Sequence, residues 1–337
     1  MQFNYKRLIP DQFTILLTLI VIIATLPPAQ GQGEIAVDWI SKIAIALLFF
    51  LHGARLSRQA IFQGIMHWKI HLVIFAITFI IFPLIAILLR PVLEPLMTPT
   101  LYLGFLYLCM LPGTVQSAIA FTSMARGNLA AAICNASASS MVGIFVTPLL
   151  VALILTDFSD QIPSINLMSV VKIIFQLFVP FIIGHLLRPY LGEFLLRNKV
   201  LVKIVDQGSI LLVVYAAFSH AVNEGLWRET PISALIAVFL VSALILAIAL
   251  GLSHFIARAL GFNLADRITI LFCGSKKSLA SGLPMAQVIF AGMPIGSIIL
   301  PLMIFHQLQL MVCAVIANKL GQRPLSPEEI ASEKSTA

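Results

Sequence analysis

Two adjacent lysines, Lys276 and Lys277, are the residues best placed to do chemistry, because they lie within a long apolar stretch of the chain. A cation at the centre of a bilayer costs about 2.5–3.5 kcal/mol on insertion scales, and a carboxylate usually offsets it. All fourteen acidic residues fall in predicted loops, tails or helix ends. We therefore expect backbone carbonyls, polar side chains, loss of the proton or an anionic ligand to compensate the two lysines.

Adjacent residues of a helix point about 100° apart. One lysine is therefore expected to face a cavity while the other points elsewhere or snorkels. The alternative is that both side chains reach a helix end and have no functional role.

Helix-breaking residues interrupt two predicted membrane spans, at 110–117 (MLPGTVQS) and 272–284 (FCGSKKSLASGLP). Pro112 removes a helical N–H, and the glycines permit turns that other residues resist. Backbone groups freed in this way must face protein or a wet cavity rather than lipid. The matching positions of the two breaks predict a binding site near the bilayer midplane. The alternative is two ordinary kinked helices.

The expected substrate-binding residues are the polar side chains of these breaks and one asparagine of a neighbouring span. They are Thr114, Gln116, Ser117, Asn135, Ser275, Lys276, Lys277 and Ser278. Asn135 shares a helix face with Ser139, which is also typical of close helix packing. His306 shares a face with Gln309, and we interpret it as a packing histidine rather than a proton carrier. An enzyme is not expected, because the spans contain no carboxylate pair, HExxH or GxSxG motif.

The composition indicates a helical membrane bundle. Of 337 residues, 60% are hydrophobic and 10% charged, against about 25% charged in soluble domains. The alternating segments of an outer-membrane barrel are absent. Ten spans are predicted, at 12–28, 36–54, 70–89, 100–124, 129–155, 169–190, 201–222, 232–257, 266–291 and 296–319.

Five spans followed by five give two halves of opposite orientation, as in an inverted repeat, and the fourth span of each half is the broken one. We predict one transmembrane transporter domain over 1–320, with repeats at about 12–155 and 169–319, and a disordered cytoplasmic tail over 321–337. The first span resembles a signal peptide, but we expect it to be retained.

Most of the 21 Lys and Arg residues lie on one side of the predicted spans, which places both termini in the cytoplasm. The net charge of +7 is therefore explained by the orientation of the chain in the membrane, and no nucleic-acid partner is expected. Cys109, Cys134, Cys273 and Cys313 lie in apolar runs and are interpreted as buried thiols. The predicted location is the cell inner membrane.

The runs 111–114 (LPGT), 124–128 (MARGN) and 272–280 (FCGSKKSLA), with the pair Thr147-Pro148, resemble the bile acid:sodium symporter family. The last run resembles a divergent SBF-like branch of that family, and the resemblance covers nearly the whole chain. It implies ten helices in two inverted repeats, a core domain, a panel domain, and broken helices four and nine that cross.

The resemblance also places the family's sodium-site residues on this chain. Degenerate sodium-site positions fall on Thr78, Ser117 and Ser275, while hydroxyl ligands of the next helix fall on alanines. The family's glutamate falls near Gly274 or Ser275, and the Met-Gln pair that follows it falls near Lys277 and Ser278. Sodium coupling and other cofactors are therefore not expected. A lysine ammonium could replace the cation, and its positive field would favour an anion.

The leading hypothesis is a secondary-active, alternating-access transporter of a small organic anion in a lipid bilayer. One alternative is a non-transporting regulatory membrane protein that retains the fold. Another is a true sodium symporter. The sequence makes no prediction of the oligomeric state.

Overall fold

The computed structural model describes residues 12–55, 67–154 and 167–324, and all regular structure within these ranges is helical. The predicted all-α class is confirmed. Single helical turns at Arg90–Leu93, Glu94–Leu96 and Leu226–Glu229 join some of the longer helices. The longer helices are α1 (Gln12–Thr25), α2 (Gln32–Arg55), α3 (Trp68–Leu88), α4 (Pro99–Met110), α5 (Gln116–Met124), α6 (Leu129–Ile154), α7 (Leu167–Arg197), α8 (Lys199–Asn223), α9 (Ile232–Ala259), α10 (Leu264–Gly274), α11 (Leu279–Ile289) and α12 (Ile295–Gly321).

Seven of the described helices are long and apolar enough to cross a membrane, namely α2, α3, α6, α7, α8, α9 and α12. Their outward faces are apolar as well, since Ile43, Leu72 and Ile204 are all more than half exposed. An apolar surface of this extent is unfavourable in water and suits lipid. The chain is therefore a multi-pass membrane protein.

The two interruptions that the sequence indicated are present. Helix α4 ends at Met110 and α5 begins at Gln116, whereas α10 ends at Gly274 and α11 begins at Leu279. The predicted fourth and ninth spans are therefore pairs of short helices. These short helices and α1 are not counted among the seven long helices.

The helices form two packed groups. The first, here called the panel group, contains α1, α2, α7 and α8, in which α2 packs on α7 and α8 while α1 packs on α8. The second, the core group, contains α3–α6 and α9–α12, in which α4 packs on α12 and α9 on α10 and α12. The groups meet where α8 contacts α11 and α12 and where α7 contacts α6.

Two glycines allow the backbones of α2 and α7 to touch. A Cβ atom at Gly53 would collide with the carbonyl oxygen of Phe181, and one at Gly184 would collide with that of Phe50. Helices in membranes often use small residues for such close approach. The pair fixes α2 against α7 inside the panel group.

All four cysteines are free and buried, as predicted. The first residues of the predicted tail are ordered against the bundle, since Gly321 ends α12 and the Arg323 guanidinium donates to the carbonyl of Ala125 at 2.6 Å. Residues 325–337 of that tail lie outside the described residues.

Candidate substrate and cation site

The two helix interruptions contact each other. The backbone N–H of Ser278 donates to the carbonyl of Pro112 at 2.9 Å, and the N–H of Gly113 donates to the Ser139 hydroxyl at 3.1 Å. The polar backbone groups freed in the unwound segments are thus paired with the other segment or with a side chain of α6. This pairing meets the requirement that backbone at membrane depth be buried in protein or face a wet cavity.

The Lys277 side chain crosses this junction and is fully buried. Its ammonium donates to three carbonyl oxygens, those of Thr78 at 2.7 Å, Leu111 at 2.8 Å and Cys109 at 2.9 Å. A lysine ammonium has three N–H donors, so all of them are used. The nitrogen also lies 4.2 Å from the centroid of the Phe82 ring, which adds a cation–π contact.

The Thr78 carbonyl is available because α3 contains a π-helical turn over Ile77–Ile81. In such a turn a carbonyl pairs with the N–H five residues later, and the N–H of Phe82 accordingly bonds the carbonyl of Ile77. The residue five after Thr78 is Pro83, which has no N–H. The Thr78 oxygen is therefore left for the ammonium.

The carbonyls at the end of α4 are divided between several partners. Leu111 is extended and ends the helix, so the last carbonyls lack helical N–H partners. Those of Cys109 and Leu111 accept from Lys277, while that of Met110 accepts from the Thr147 hydroxyl at 2.9 Å. The C-terminal end of a helix carries partial negative charge, so a cation is favourable there.

Gln309 of α12 holds the backbone of Lys277 in place. The amide oxygen of Gln309 accepts from the Lys277 N–H, and its amide nitrogen donates to the Lys277 carbonyl, both at 2.9 Å. The same amide nitrogen lies 2.8 Å from Nδ1 of His306. Sequence reasoning had noted only that these two residues share a helix face.

Lys276 is also fully buried but has a different environment. Its ammonium donates to the carbonyl of Ser117 at 2.9 Å and lies 3.8 Å from the ring centroid of Phe121. A second ring, that of Phe272, lies 5.4 Å away. Lys276 therefore relies on one carbonyl and two aromatic faces.

The two ammonium groups contact two of the three degenerate sodium-site positions through main-chain carbonyls, those of Thr78 and Ser117. The third position, Ser275, donates its hydroxyl to Leu271 at 2.6 Å. Within the described ranges, no three His, Cys, Asp or Glu side chains come together as a metal site would require. Carbonyl oxygens are therefore the cation ligands of this region.

A central cavity of about 430 Å³ lies between the panel and core groups. Four of the predicted substrate-binding residues line it, namely Thr114, Gln116, Ser117 and Ser278. The other four do not, and they are Asn135, Ser275, Lys276 and Lys277. Asn135 is buried beside His71, 3.3 Å from its Nδ1 atom. Neither lysine reaches the cavity, so both form part of the structure behind its wall.

Sequence reasoning missed an ion pair in the cavity wall, between Arg55 of α2 and Asp206 of α8. Their closest atoms, Nη1 and Oδ2, are 3.1 Å apart. Asp206 was expected at a helix end, but it is buried in the second turn of α8. The residues are 151 positions apart, so no local pattern could have joined them. His52, Ser137, Ser140 and His306 also line the cavity.

A second cavity, here called the vestibule, has a volume of about 460 Å³ and shares Arg55 and Gln116 with the central cavity. Its wall adds three more basic side chains, Arg188, Lys199 and Lys203. None of the described residues that line it is acidic. The vestibule is therefore strongly basic, and a charged cleft of this kind concentrates ions of the opposite sign.

Residues 11–322 match the SBF-like CPA transporter family. The chain is 54% identical over 317 residues to protein PA2026 of Pseudomonas aeruginosa, covering 94% of this chain and 95% of that protein. It is 51% identical over 309 residues to YfeH of Escherichia coli, described as a candidate symporter, covering 92% of each chain. It is 31% identical over 329 residues to sodium/bile acid cotransporter 7-B of Xenopus laevis, covering 95% and 94% of the two chains. The chain therefore belongs to the SBF-like CPA transporter family, whose members resemble bile acid:sodium symporters.

Proposed function

We propose that the chain is a secondary-active transporter that carries a small organic anion by alternating access and does so without sodium. The observation that carries this proposal is a cavity between two helix groups that adjoins a basic vestibule. Membership in a transporter family supports a small-molecule substrate and argues against an enzyme.

Counting each interrupted pair, α4–α5 and α10–α11, as one crossing gives ten crossings in the proposed topology. They divide into five and five, so the second half is inverted with respect to the first. The proposed transporter domain spans 1–320. Both termini lie in the cytoplasm of a cell whose inner membrane holds the protein.

Alternating access needs two bodies that rock about a fixed site. The panel and core groups are the proposed bodies, because most helix packing lies within each group. The central cavity takes lining residues from both groups, such as Arg55 and Asp206 of the panel and Ser278 and His306 of the core. Relative motion of the groups would open the cavity to one side at a time.

The electrostatics favour an anion as the solute. Four basic side chains and no acidic one line the described part of the vestibule, and Arg55 continues into the central cavity. The buried ammonium groups of Lys276 and Lys277 add positive potential behind the wall, because all their described hydrogen-bond acceptors are neutral carbonyls. The name of the Xenopus relative includes bile acid, an organic anion.

Lys277 is the proposed substitute for a bound sodium ion. Its ammonium is held by three carbonyl oxygens where the two broken helices meet, including that of the degenerate sodium-site residue Thr78. A cation tethered to the chain would support the crossing segments permanently. Loading of sodium would then be unnecessary.

The test is uptake of labelled taurocholate, and of a panel of smaller carboxylates and sulfonates, into proteoliposomes that contain the purified protein. We expect saturable uptake above that of protein-free liposomes, unchanged when choline replaces sodium. Uptake that requires sodium would establish the alternative of a sodium symporter. Absence of uptake of every anion would favour the alternative of a non-transporting regulatory protein.

A further inference from the structure

We infer that the central cavity binds the anionic group of the solute at Arg55 together with one proton at Asp206, so that the carrier couples anion movement to protons. This inference rests on the proposed anion transport. It adds the binding residue and the coupling ion, which the resemblance to sodium symporters leaves open.

Arg55 is placed to meet an incoming anion. It lines both the vestibule and the central cavity, and about a third of its side chain (32%) is exposed. Its guanidinium donates to Asp206 and to the carbonyl of Val202 at 3.4 Å. A guanidinium has five N–H donors in a planar fork that fits carboxylate, sulfonate and phosphate groups. Arg55 can therefore exchange an internal carboxylate for the solute's anionic group.

Asp206 is the internal competitor for Arg55. Its side chain is only 8% exposed, and Oδ2 accepts the hydrogen bond from Arg55. The other oxygen, Oδ1, is buried without a hydrogen-bond partner. A buried carboxylate oxygen that lacks a donor is unfavourable, and protonation of the group removes its charge. Because of this geometry, Asp206 is the group to which we assign the proton in the anion-bound state, when the Arg55 guanidinium has moved to the solute.

Charge balance links the two events. The empty cavity wall holds one cation and one anion, which sum to zero at this pair. Binding a monovalent anion at Arg55 alone would leave the buried Asp206 carboxylate without its ion-pair partner, which is costly in a region of low dielectric. A proton on Asp206 restores the neutral sum: the Arg55–Asp206 hydrogen bond breaks, the anion takes its place, and the proton comes from solvent. Release on the other side reverses each step.

Other ionisable groups near Asp206 must be separated from it in any test. Helix α2 contributes His52 in addition to Arg55, and the described part of α1 presents no ionisable group to the cavity. The remaining ionisable side chains that line the two cavities are His306 of α12, Arg188 of α7, and Lys199 and Lys203 of α8 itself. The two histidines are alternative proton acceptors, so His52→Gln and His306→Gln serve as comparison variants.

The experiment measures proton uptake when taurocholate or another anion found to be carried is added to the purified protein in weakly buffered solution with a pH-indicator dye. Taurocholate carries a sulfonate that stays ionised, so a pH effect arises in the protein. We expect uptake of about one proton per bound anion and an apparent affinity that weakens by up to about tenfold for each unit of rising pH. The proton signal requires no variant, so it remains informative if a variant fails to fold.

The Asp206→Asn variant should bind the anion without proton uptake and with little pH dependence. In proteoliposomes it should exchange anion across the membrane, but a proton gradient should not drive accumulation of the anion. Arg55→Gln should lose anion binding. Glu94→Gln, which removes an exposed ion pair with Arg90, is the matched control and should behave as the wild type. Anion uptake with no proton signal, or a proton signal that Asp206→Asn retains and His52→Gln or His306→Gln removes, would overturn the inference while anion transport stands. Absence of binding and uptake for every anion would overturn both.

Discussion

The ammonium nitrogen of Lys277 lies 2.7 Å from the carbonyl oxygen of Thr78, a residue 199 positions earlier in the chain. The contact joins the π-helical turn of α3 to the unwound segment between α10 and α11. Two further carbonyls at the end of α4 complete the cage. One charged side chain therefore fastens three separate irregular backbone segments at membrane depth.

Lys277→Met should be severely impaired, because methionine keeps the stem volume but leaves three buried carbonyls without a donor. At about 1–3 kcal/mol for each orphaned group, we expect a loss of at least about 3 kcal/mol in the free energy of unfolding, with uptake abolished. Lys276→Met is the matched comparison. It loses one hydrogen bond and two ring contacts, so its melting temperature should fall less. Thermal unfolding in detergent measures the stability of the two variants, and the uptake assay measures their transport. A double Met variant that unfolds no earlier than the wild type and transports as well or better would show that the lysines have no part in the mechanism.

If the Lys277 ammonium takes the place of a bound sodium ion, transport should not depend on which cation the solution contains. We expect wild-type uptake to be the same in sodium, potassium and choline, because the ammonium already occupies the carbonyl cage. Lys277→Glu reverses the charge and should abolish uptake in potassium or choline. If the cage corresponds to a former sodium site, sodium could restore part of the lost activity. A steep, saturable sodium dependence in the wild type would contradict the tethered-cation mechanism.

Gln309→Met should destabilise the protein, because the Lys277 N–H and carbonyl would both lose their partner in a buried position. We expect a loss of about 2 kcal/mol or more in the free energy of unfolding. Gln307→Met provides the control on the same helix, since Gln307 is only half-buried. The midpoint of thermal unfolding should separate the two variants. Equal melting temperatures would mean that the backbone at Lys277 does not depend on the hydrogen bonds of Gln309 for its stability.

The proposed topology places both termini and the α5–α6 connection in the cytoplasm. Single cysteines introduced as Asn4→Cys, Arg126→Cys and Ile330→Cys should be protected from membrane-impermeant thiol reagents added to intact cells, and they should react after the membrane is opened. The native cysteines give little background because all four are buried. Labelling of any of the three positions from outside would overturn the orientation.

The parts of this molecule that sequence predicted are those encoded locally. Proline, glycine and polar residues occur together at 110–117 and 272–284, so the two helix interruptions were visible without a structure. The π-helical turn was not predicted, because its sequence, ITFII, contains no breaker and its one signal, Pro83, lies beyond it. The Arg55–Asp206 pair was missed for another reason: each residue alone resembles an ordinary charge near a helix end.

The locations of the lysines illustrate the same limit. Their burial within the spans followed from the apolar sequence around them, but their separation from the central cavity depends on how α3, α4 and α5 pack. Thr114, Gln116, Ser117 and Ser278 do line the cavity, because the interruptions that expose them also form its wall.

The close approach of α2 and α7 at Gly53 and Gly184 gives a last prediction, which concerns the rigidity of the panel group. Gly53→Ala or Gly184→Ala would place a methyl group against a backbone carbonyl of the facing helix, which cannot move without shifting α2 from α7. Overpacking of this kind costs about 1–3 kcal/mol, so both variants should melt earlier and lose uptake. Gly208→Ala and Gly251→Ala are matched controls in α8 and α9, because a Cβ atom there meets nothing within 4 Å. These controls should be as stable as the wild type or gain about 0.5–1 kcal/mol from the lower flexibility of the unfolded chain. If all four variants melted alike, α2 and α7 would not be in the close contact on which a rigid panel group depends.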